Sequence, residues 1–296
     1  MSGHGGCTAE LVTAFLRAKE AKGLSRRTIA HYRYWLGKFS AGCPEIPHDP
    51  EPIESFVCAW QGITRRNVFR AIRALYTWLV RTRKLPIQDN PFVYMDSPRT
   101  PKKLPRIFTS GEVLRLLDSA QPGHERALVL VLLDGAPRIG EMVGRTKDDL
   151  TADGLRVNGK RGERLIPLLP TTIAYLRDQP TFYLFPVLRG KDRWCETDAP
   201  ASVQTLQRRF RQVVDRAGVT GPRRGPHTMR HTSATSWLRS SGDISALKQV
   251  LGHASIRETE VYVALLTASS LSREHRQHSA LLQMAEHHRQ LSLMAD

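Results

Sequence analysis

The sequence has little cysteine and no long apolar run. Its four cysteines form neither a Cys-x-x-Cys pair nor a zinc-ligand spacing, so we expect reduced thiols in a cytoplasmic protein. They are Cys7, Cys43, Cys58 and Cys195. The longest apolar run, residues 127–133, is far too short to cross a bilayer, and the polar, glycine-rich N-terminus predicts no signal peptide. These absences exclude a membrane-spanning protein and a disulfide-stapled domain.

Recognisable cofactor motifs are also missing. No Walker-type glycine-rich loop is present, which argues against a nucleotide requirement. Histidines are frequent near the C-terminus, but no cysteine or carboxylate lies at a matching ligand spacing, so a solvated helix face explains them better than a metal. These histidines are His275, His278, His287 and His288. The sequence therefore predicts neither a metal nor another cofactor.

Positive charge is the dominant feature of the composition. The chain has 296 residues, with 44 Lys and Arg against 28 Asp and Glu, and a formal net charge of +16. Such a balance attracts polyanions, and the apolar content is that of a globular protein rather than a disordered one. Nucleic acid is favoured over a membrane surface because no membrane-spanning segment accompanies the charge. The length is sufficient for two domains that each bury a core.

The first hundred residues read as a small basic helical module. Apolar residues recur at helical spacing, with arginines off the apolar stripe. Gly23 ends the first helix and Ser25 caps the second. We predict helices over 9–22, from Ser25 onward, over 53–60 and over 64–83, with a proline-rich loop at 43–52.

Proline and charge mark a boundary after this module. Asp89-Asn90-Pro91 breaks the last helix, and residues 97–106 read as a basic linker. Lys102 and Lys103 in it either contact a duplex or merely solubilise the linker. Thr109 and Glu112 predict a capping box that opens the next domain. The predicted organisation is a helical domain at 1–96, the linker at 97–106 and a second domain at 107–296.

The stretch from Pro226 to Tyr262 predicts the reactive chemistry. His227 and Arg230 are three residues apart, so on a helix they share one face. A guanidinium can hold two phosphate oxygens while the imidazole adds a donor. Gly252 then ends a helix over 244–251, which leaves His253 on the turn and Tyr262 on the next helix. A tyrosine hydroxyl in that position can act as a nucleophile.

These residues resemble the C-terminal signature of the tyrosine recombinases, also called the phage integrase family. The shared pattern is His-x-x-Arg-His, then Leu-Gly-His, then a tyrosine nine residues later. Gly135 to Glu141 resembles the family's Gly-x-Arg-x-x-Glu motif, with Pro137 as one extra residue. The resemblance assigns Arg138 as catalytic and Glu141 as its support. Without the family pattern, these two residues would be interpreted as an ordinary ion pair.

A predicted β-hairpin over 155–168 carries a further motif of the family. Its turn resembles Gly-Lys-Gly-x-Lys-Glu-Arg, although Arg161 replaces the second glycine and the pattern is one residue shorter. The resemblance assigns Lys160 as the catalytic lysine. A lysine at such a turn is otherwise simply solvated, but a mobile amine can also protonate a leaving alkoxide.

The resemblance implies site-specific strand exchange on duplex DNA. Tyr262 attacks a scissile phosphate and stays linked to the DNA 3′ end, while Arg138 and Arg230 neutralise the phosphate oxygens. His227 and His253 bind the phosphate, with one of them easing away the tyrosine proton. Lys160 protonates the leaving 5′ oxygen. His231 is placed as a supporting residue, and neither ATP nor a divalent metal is required.

The implied fold is mainly α with a small antiparallel sheet: a helical core-binding (SAM-like) domain and an α+β catalytic domain that close on DNA. A helix over 202–217 would enter the major groove, or would simply be a solvated basic face. The tail over 269–293 would dock on a neighbouring subunit, giving a homotetramer on two recombination sites, or would pack in cis. A nucleoid-associated location follows. The expected DNA contacts are Arg26, Arg27, Arg65, Arg66, Arg70, Lys102, Lys103, Arg208 and Arg209.

Alternative functions share parts of this pattern. A type IB topoisomerase or a telomere resolvase uses the same tyrosine chemistry without joining two partner sites. A catalytically inactive relative would keep the basic surfaces and lose catalytic residues, whereas every expected residue is present here. A transcriptional repressor would explain the charge but would not need Tyr262 with two arginines and two histidines.

Overall fold

The computed structural model describes residues 7–99, 104–159, 162–187, 199–253 and 255–267. The chain forms two compact units, Met1–Lys102 and Lys103–Asp296, and each buries an apolar core of its own. Their boundary lies inside the segment 97–106. No helix within the described residues is both long enough and apolar enough to cross a membrane.

Four helices build the first unit. They are α1 (Thr8–Ala21), α2 (Arg26–Gly42), α3 (Pro50–Cys58) and α4 (Gly62–Arg81). The cap of α2 is confirmed, because Ser25 Oγ accepts a hydrogen bond of 3.3 Å from the Thr28 amide. The predicted extent of the proline-rich loop is wrong at its end. Pro50 and Pro52 instead lie in the first turn of α3, where the lack of an amide proton costs no helical hydrogen bond.

The apolar stripes of these helices meet in one core. Phe15 of α1, Leu36 of α2 and Ile72 of α4 are fully buried, and Tyr76 donates a hydrogen bond of 2.7 Å to the Pro47 carbonyl. The predicted stripe of α4 is therefore confirmed as the buried face, which leaves Arg66, Arg70 and other arginines of that helix exposed.

The second unit is mainly helical with one hairpin. A capping box at Thr109 and Glu112 begins its first helix, as predicted, with hydrogen bonds of 2.8 and 3.2 Å. The elements in chain order are α5 (Ser110–Ser119), α6 (His124–Asp134), β1 (Gly154–Gly159), β2 (Gly162–Pro167), α7 (Pro170–Arg177), α8 (Val203–Arg216), α9 (Pro226–Ser241), α10 (Ile244–Leu251) and α11 (260–267).

The hairpin is antiparallel and pairs Gly154 with Pro167 at one end and Gly159 with Gly162 at the other. Its inward residues, including Val157 and Ile166, join the core formed with α6 and α9. Gly135 at the end of α6 lies so close to the hairpin that a Cβ atom there would meet Ile166 at 2.3 Å. The predicted hairpin and the predicted fold class, mainly α with a small antiparallel sheet, are confirmed.

Two predicted surface arginines are not available as predicted. Arg209 is only 5% exposed, and its Nη2 donates a hydrogen bond of 2.6 Å to the Pro186 carbonyl, so its assignment to the outward face of α8 is wrong. Burial lowers its pKa to about 10. Arg65 is half-buried and donates to the carbonyls of Trp60 and Cys58 at the end of α3. Both guanidinium groups are therefore occupied by backbone oxygens.

Candidate active site

The fold brings together the predicted catalytic residues that the structure describes. Arg138 follows α6, and His227 and Arg230 lie in the first turns of α9. His253 follows α10, and Tyr262 lies on α11. Lys160 lies outside the described residues.

The carboxyl end of α10 is the meeting point of the arginines. Leu251 O accepts a hydrogen bond of 2.8 Å from Arg230 Nη2 and one of 3.5 Å from Arg138 Nη1. Val250 O accepts one of 2.6 Å from Arg164 Nη1. Terminal carbonyls of a helix lack partners within the helix and carry partial negative charge. They therefore hold guanidinium groups that would otherwise repel one another.

Glu141 supplies the full negative charge of this cluster. Its side chain is 6% exposed and accepts hydrogen bonds from the Arg138 amide at 2.8 Å, from Arg138 Nη1 at 3.2 Å and from Arg164 Nη2 at 2.8 Å. Burial alone would raise the pKa of Glu141. The hydrogen bonds and charges of the two arginines outweigh burial and hold this pKa below its usual value. The carboxylate thus stays ionised and fixes both guanidinium groups.

Arg164 is a member of the cluster that the sequence reasoning did not single out. It lies on β2 and links the hairpin to Glu141 and to the end of α10. The only sequence signal was its place at the end of the segment that resembles the family hairpin. Gly252 belongs to the same arrangement: its φ is +61°, and a Cβ atom there would lie 2.8 Å from Arg164 Nε.

Arg230 is the most deeply buried of the arginines, at 1% exposure. Besides Leu251 O, it donates a hydrogen bond of 2.5 Å from Nη1 to Ala136 O. Burial, followed by the charge of Arg138, lowers the pKa of Arg230 to about 10, so it remains a cation at neutral pH. A buried guanidinium with two carbonyl partners has donors to spare, because the group carries five N–H bonds.

The backbone before Arg138 explains the unusual motif. Ala136 has a φ of +48°, a left-handed conformation that favours glycine. It lies two residues before Arg138, where the pattern Gly-x-Arg-x-x-Glu has its glycine. The motif therefore aligns without an inserted Pro137 and with alanine in place of glycine. The Ala136 carbonyl is the one that Arg230 binds, so this turn positions two arginines.

The tyrosine hydroxyl lies beside a histidine that was predicted only as a supporting residue. Tyr262 is 1% exposed, and its Oη is 3.2 Å from His231 Nδ1. His253 stacks on the tyrosine ring at a centroid distance of 6.3 Å, with its Nδ1 2.9 Å from Thr259 Oγ1. The rings of His227 and His231 are 4.6 Å apart. Two imidazoles thus contact the Tyr262 side chain, and the third, that of His227, contacts His231.

Burial controls the charge state of these groups. It raises the pKa of Tyr262 above its usual value, although Arg230 and Arg138 oppose this effect. Burial also lowers the pKa of His231 and His253 to about 4, with further lowering by neighbouring arginines and histidines, and it lowers the pKa of His227. The imidazoles are therefore neutral at neutral pH, and the positive charge of the site comes from its arginines.

The site so described can bind an oxyanion and deliver a phenol oxygen to it. Among the residues that the structure describes, no group of three or more His, Cys, Asp and Glu side chains is arranged to hold a metal ion. The prediction that the reaction needs no metal stays a prediction.

Comparison with known proteins identifies the family. The sequence profile of the phage integrase family matches residues 106–269, more than half of the chain. The chain belongs to the phage integrase family. The interpretation of the sequence as a tyrosine recombinase, a DNA strand-exchange enzyme, is confirmed.

Proteins named as tyrosine recombinases are similar to this phage integrase family member over most of its length. Tyrosine recombinase XerC of Xylella fastidiosa (strain M23) is 29% identical over 281 residues, which cover 85% of this chain and 90% of that protein. Tyrosine recombinase XerD of Pseudomonas putida is 29% identical over 290 residues, covering 87% and 92%. A lambda integrase tetramer bound to a Holliday junction has a similar fold, with a TM-score of 0.71 at 15% identity over 88% of this chain and 78% of that one.

The predicted DNA-contacting residues of this family member fall into three groups. Arg26, Arg27, Arg66, Arg70 and Arg208 are exposed. Arg65 and Arg209 are bound to backbone carbonyls, as described above. Lys102 and Lys103 lie outside the described residues, as does the tail predicted to dock on a neighbour.

Proposed function

We propose that this chain is a site-specific recombinase that cuts and rejoins duplex DNA through a 3′-phosphotyrosyl intermediate. The observation that carries the proposal is the convergence of Arg138 and Arg230 on the end of α10, in the same cluster of side chains as the Tyr262 hydroxyl. A tyrosine near one arginine would be ordinary packing. A buried tyrosine among two arginines and three neutral histidines matches the needs of phosphoryl transfer.

The arginines stabilise the transition state in this proposal. Negative charge collects on the non-bridging phosphate oxygens when Tyr262 attacks, and preorganised guanidinium groups neutralise it at little reorganisation cost. Glu141 and the α10 carbonyls supply that preorganisation for Arg138 and Arg230. His227 and His253 donate hydrogen bonds to the same phosphate as neutral imidazoles.

Lys160 completes the reaction by protonating the 5′ oxygen as it leaves. Its neighbour in sequence, Gly159, pairs with Gly162 at the end of the hairpin, and Arg164 ties this hairpin to Glu141. The two strands that flank Lys160 in sequence are thus tied to the arginine cluster. A protonated lysine amine can act as the general acid.

Both units contribute to DNA binding in this proposal, the helical domain at 1–96 and the catalytic domain at 107–296, with 97–106 as the linker. Arg70 lines a basic cavity on the first unit together with Lys19, Arg73 and Arg81. Burial and the charges of Lys22 and Arg81 lower the pKa of Lys19, which reflects the density of positive charge there. Such a surface favours phosphate backbones.

Arg26, Arg27, Arg66 and Arg208 are further proposed contacts, with Lys102 and Lys103 in the linker. We no longer include Arg65 and Arg209, whose guanidinium groups bind carbonyls. The related lambda integrase has been seen as a tetramer on a Holliday junction. Exchange of four strands by this chain likewise requires four protomers on two sites. In this proposal the tail assembles them, and the protein lies on the nucleoid in the cytoplasm.

The experiment that tests the function is covalent trapping. A binding site is first enriched from random duplexes, then nicked near the cleavage point so that a short fragment diffuses away and the covalent complex accumulates. Wild type, Tyr262→Phe and the exposed-tyrosine control Tyr94→Phe are compared in EDTA. We expect a denaturation-resistant protein–DNA band from wild type and Tyr94→Phe only.

Two outcomes would contradict the proposal. An equal band from Tyr262→Phe removes this tyrosine from its role, and tight binding without any band identifies an inactive DNA-binding protein. A further assay mixes two labelled duplexes that carry the site. Joined products support recombination, whereas relaxation of supercoiled DNA without joined products indicates topoisomerase activity.

A further inference from the structure

We propose that His231 is a catalytic residue that takes the hydroxyl proton of Tyr262 as the tyrosine attacks the phosphate. The proposal deepens the proposed recombinase function and rests on it. In the sequence His231 follows the arginine of the His-x-x-Arg pattern, and neither of the phosphate-binding histidines assigned from that pattern is His231.

Geometry selects His231 among the three histidines of the site. Its Nδ1 lies 3.2 Å from Tyr262 Oη, within hydrogen-bonding range. His253 lies parallel to the tyrosine ring, and its Nδ1 is held by Thr259 Oγ1 at 2.9 Å. His227, one helical turn earlier on α9, contacts the ring of His231 edge to face. In the described part of the chain, His231 is therefore the imidazole in direct hydrogen-bond contact with the nucleophile.

The donor and acceptor inventory gives the direction of this hydrogen bond. Tyr262 also interacts with Arg230, whose hydrogen bond and charge favour the phenolate. A guanidinium only donates, so it stabilises the phenol oxygen but cannot accept its proton. The hydroxyl proton must point to a group with a lone pair, and His231 Nδ1 offers one in the tautomer protonated at Nε2. Arg230 thus stabilises negative charge on the phenol oxygen of Tyr262, and His231 accepts its proton.

The charges around His231 keep its lone pair available. The groups that face it are His227 and Arg230 on α9, His253 after α10 and Tyr262 on α11. Burial, then His227, Arg230 and His253, lower the pKa of His231 to about 4. The ring is neutral at working pH. A phosphate bound to Arg230 brings opposing charge into the cluster, which raises the proton affinity of His231 when substrate is present.

Proton transfer to His231 accompanies the attack of Tyr262 on phosphorus. The Oη–H bond of Tyr262 breaks and its proton moves to His231 Nδ1, while Oη forms a bond to phosphorus. The bond from phosphorus to the 5′ oxygen breaks, and that oxygen receives a proton from Lys160. In rejoining, the 5′ hydroxyl attacks phosphorus and gives its proton back to Lys160, the bond from Oη to phosphorus breaks, and the imidazolium of His231 returns its proton to Tyr262.

The test separates proton acceptance from hydrogen bonding. His231→Asn places an amide where Nδ1 stands, so it keeps a hydrogen bond to Tyr262 but cannot take a proton. His253→Asn alters a phosphate-binding histidine whose ring lies parallel to that of Tyr262, and it is compared for the shape of its pH profile alone. The substrate is the selected duplex with sulfur in place of the bridging 5′ oxygen. A thiolate leaves without being protonated, so the measured cleavage rate no longer depends on proton donation by Lys160. Single-turnover cleavage is measured from pH 5 to pH 9, together with DNA affinity.

We expect His231→Asn to bind DNA like wild type and to cleave roughly 100-fold more slowly at neutral pH, the usual scale of general-base catalysis. Its rate should keep rising with pH, because hydroxide replaces the base, whereas wild type and His253→Asn should level off. The proposal is overturned if His231→Asn cleaves within about threefold of wild type, or if it loses rate but keeps the wild-type pH profile.

A second measurement on the free protein decides the contact independently of recombination. Nitrogen NMR of labelled histidine reports whether Nδ1 of His231 is an unprotonated acceptor, and Tyr262→Phe should shift this resonance. An unchanged resonance refutes the contact and with it the proposal. If wild type traps no DNA, the recombinase function fails, and the resonance still shows whether His231 accepts a hydrogen bond from the Tyr262 hydroxyl.

Discussion

Two glycines at helix ends allow a matched test of how the arginine cluster is built. Gly252 ends α10 with a φ of +61°, and Gly242 ends α9 with a φ of +69°. Alanine in a left-handed conformation costs about 1–2 kcal/mol, so both substitutions carry that loss. They differ in surroundings, because a Cβ atom at 242 meets nothing within 4 Å, whereas one at 252 lies 2.8 Å from Arg164 Nε and 2.9 Å from its Cδ.

Gly252→Ala should lower the free energy of unfolding further, because the Arg164 side chain loses hydrogen bonds when it moves. Its side chain cannot stay in place, yet it holds the buried Glu141 at 2.8 Å and the Val250 carbonyl at 2.6 Å. A hydrogen bond involving a charged group contributes about 1.5–3 kcal/mol. We therefore expect Gly252→Ala to lower the free energy of unfolding by about 3–5 kcal/mol, against about 1–2 kcal/mol for Gly242→Ala.

The assay is urea unfolding of the full chain, followed by far-UV circular dichroism. The same pair is repeated in an Arg164→Ala background, where the steric conflict is gone and both substitutions should cost the same. Equal losses from the two glycine substitutions in the wild-type background would refute the reasoning, since only the contact with Arg164 distinguishes them.

Three further predictions concern the same unit. Ala136→Gly should leave the free energy of unfolding within about 0.5 kcal/mol of wild type, because relief of the left-handed conformation offsets the loss of the buried methyl group. Ala234→Gly, within helix α9, should lower the free energy of unfolding by about 2 kcal/mol. Glu141→Gln should destabilise by about 3 kcal/mol in the same assay, because it leaves the largely buried guanidinium of Arg164 without its carboxylate partner. The free energy of unfolding should fall as the pH drops from about 6.5 to about 4, because histidines whose pKa is lowered in the folded state take up protons on unfolding. A free energy of unfolding that does not change over this pH range would contradict the prediction. These histidines are His124, His231 and His253.

Periodicity and capping predicted most of the architecture. The capping box at Thr109 and the glycine at the end of α10 depend on neighbours a few residues away, and both were recovered from the sequence. The start of α3 was missed because Pro50 is compatible with either a loop or a first helical turn. Arg209 was placed outward because a charge on an amphipathic helix is usually exposed, whereas here a distant carbonyl, Pro186 O, satisfies it.

The sequence named most of the residues that the structure brings together in the candidate site, but not the contacts between them. The pattern around His227 and Tyr262 names residue types, and a resemblance carries their roles. It does not report that His231 lies against Tyr262, because this distance depends on how α9 and α11 pack. Arg164 was missed for the same reason, since its partners are Glu141, 23 residues away, and Val250, 86 residues away. Long-range contacts of this kind leave no local signature.

The end of α10 has a thermodynamic consequence. Its carbonyls hold Arg138, Arg164 and Arg230 with partial charges, and among the described residues Glu141 is the carboxylate that pairs with this cluster. The unliganded cluster is therefore rich in uncompensated positive charge, which costs folding free energy. An anion that binds to this cluster neutralises part of the charge and so stabilises the folded state. Anion binding and the free energy of unfolding are therefore linked. Resistance of the second unit to proteolysis should then report whether a phosphate is in place, before any bond is cut.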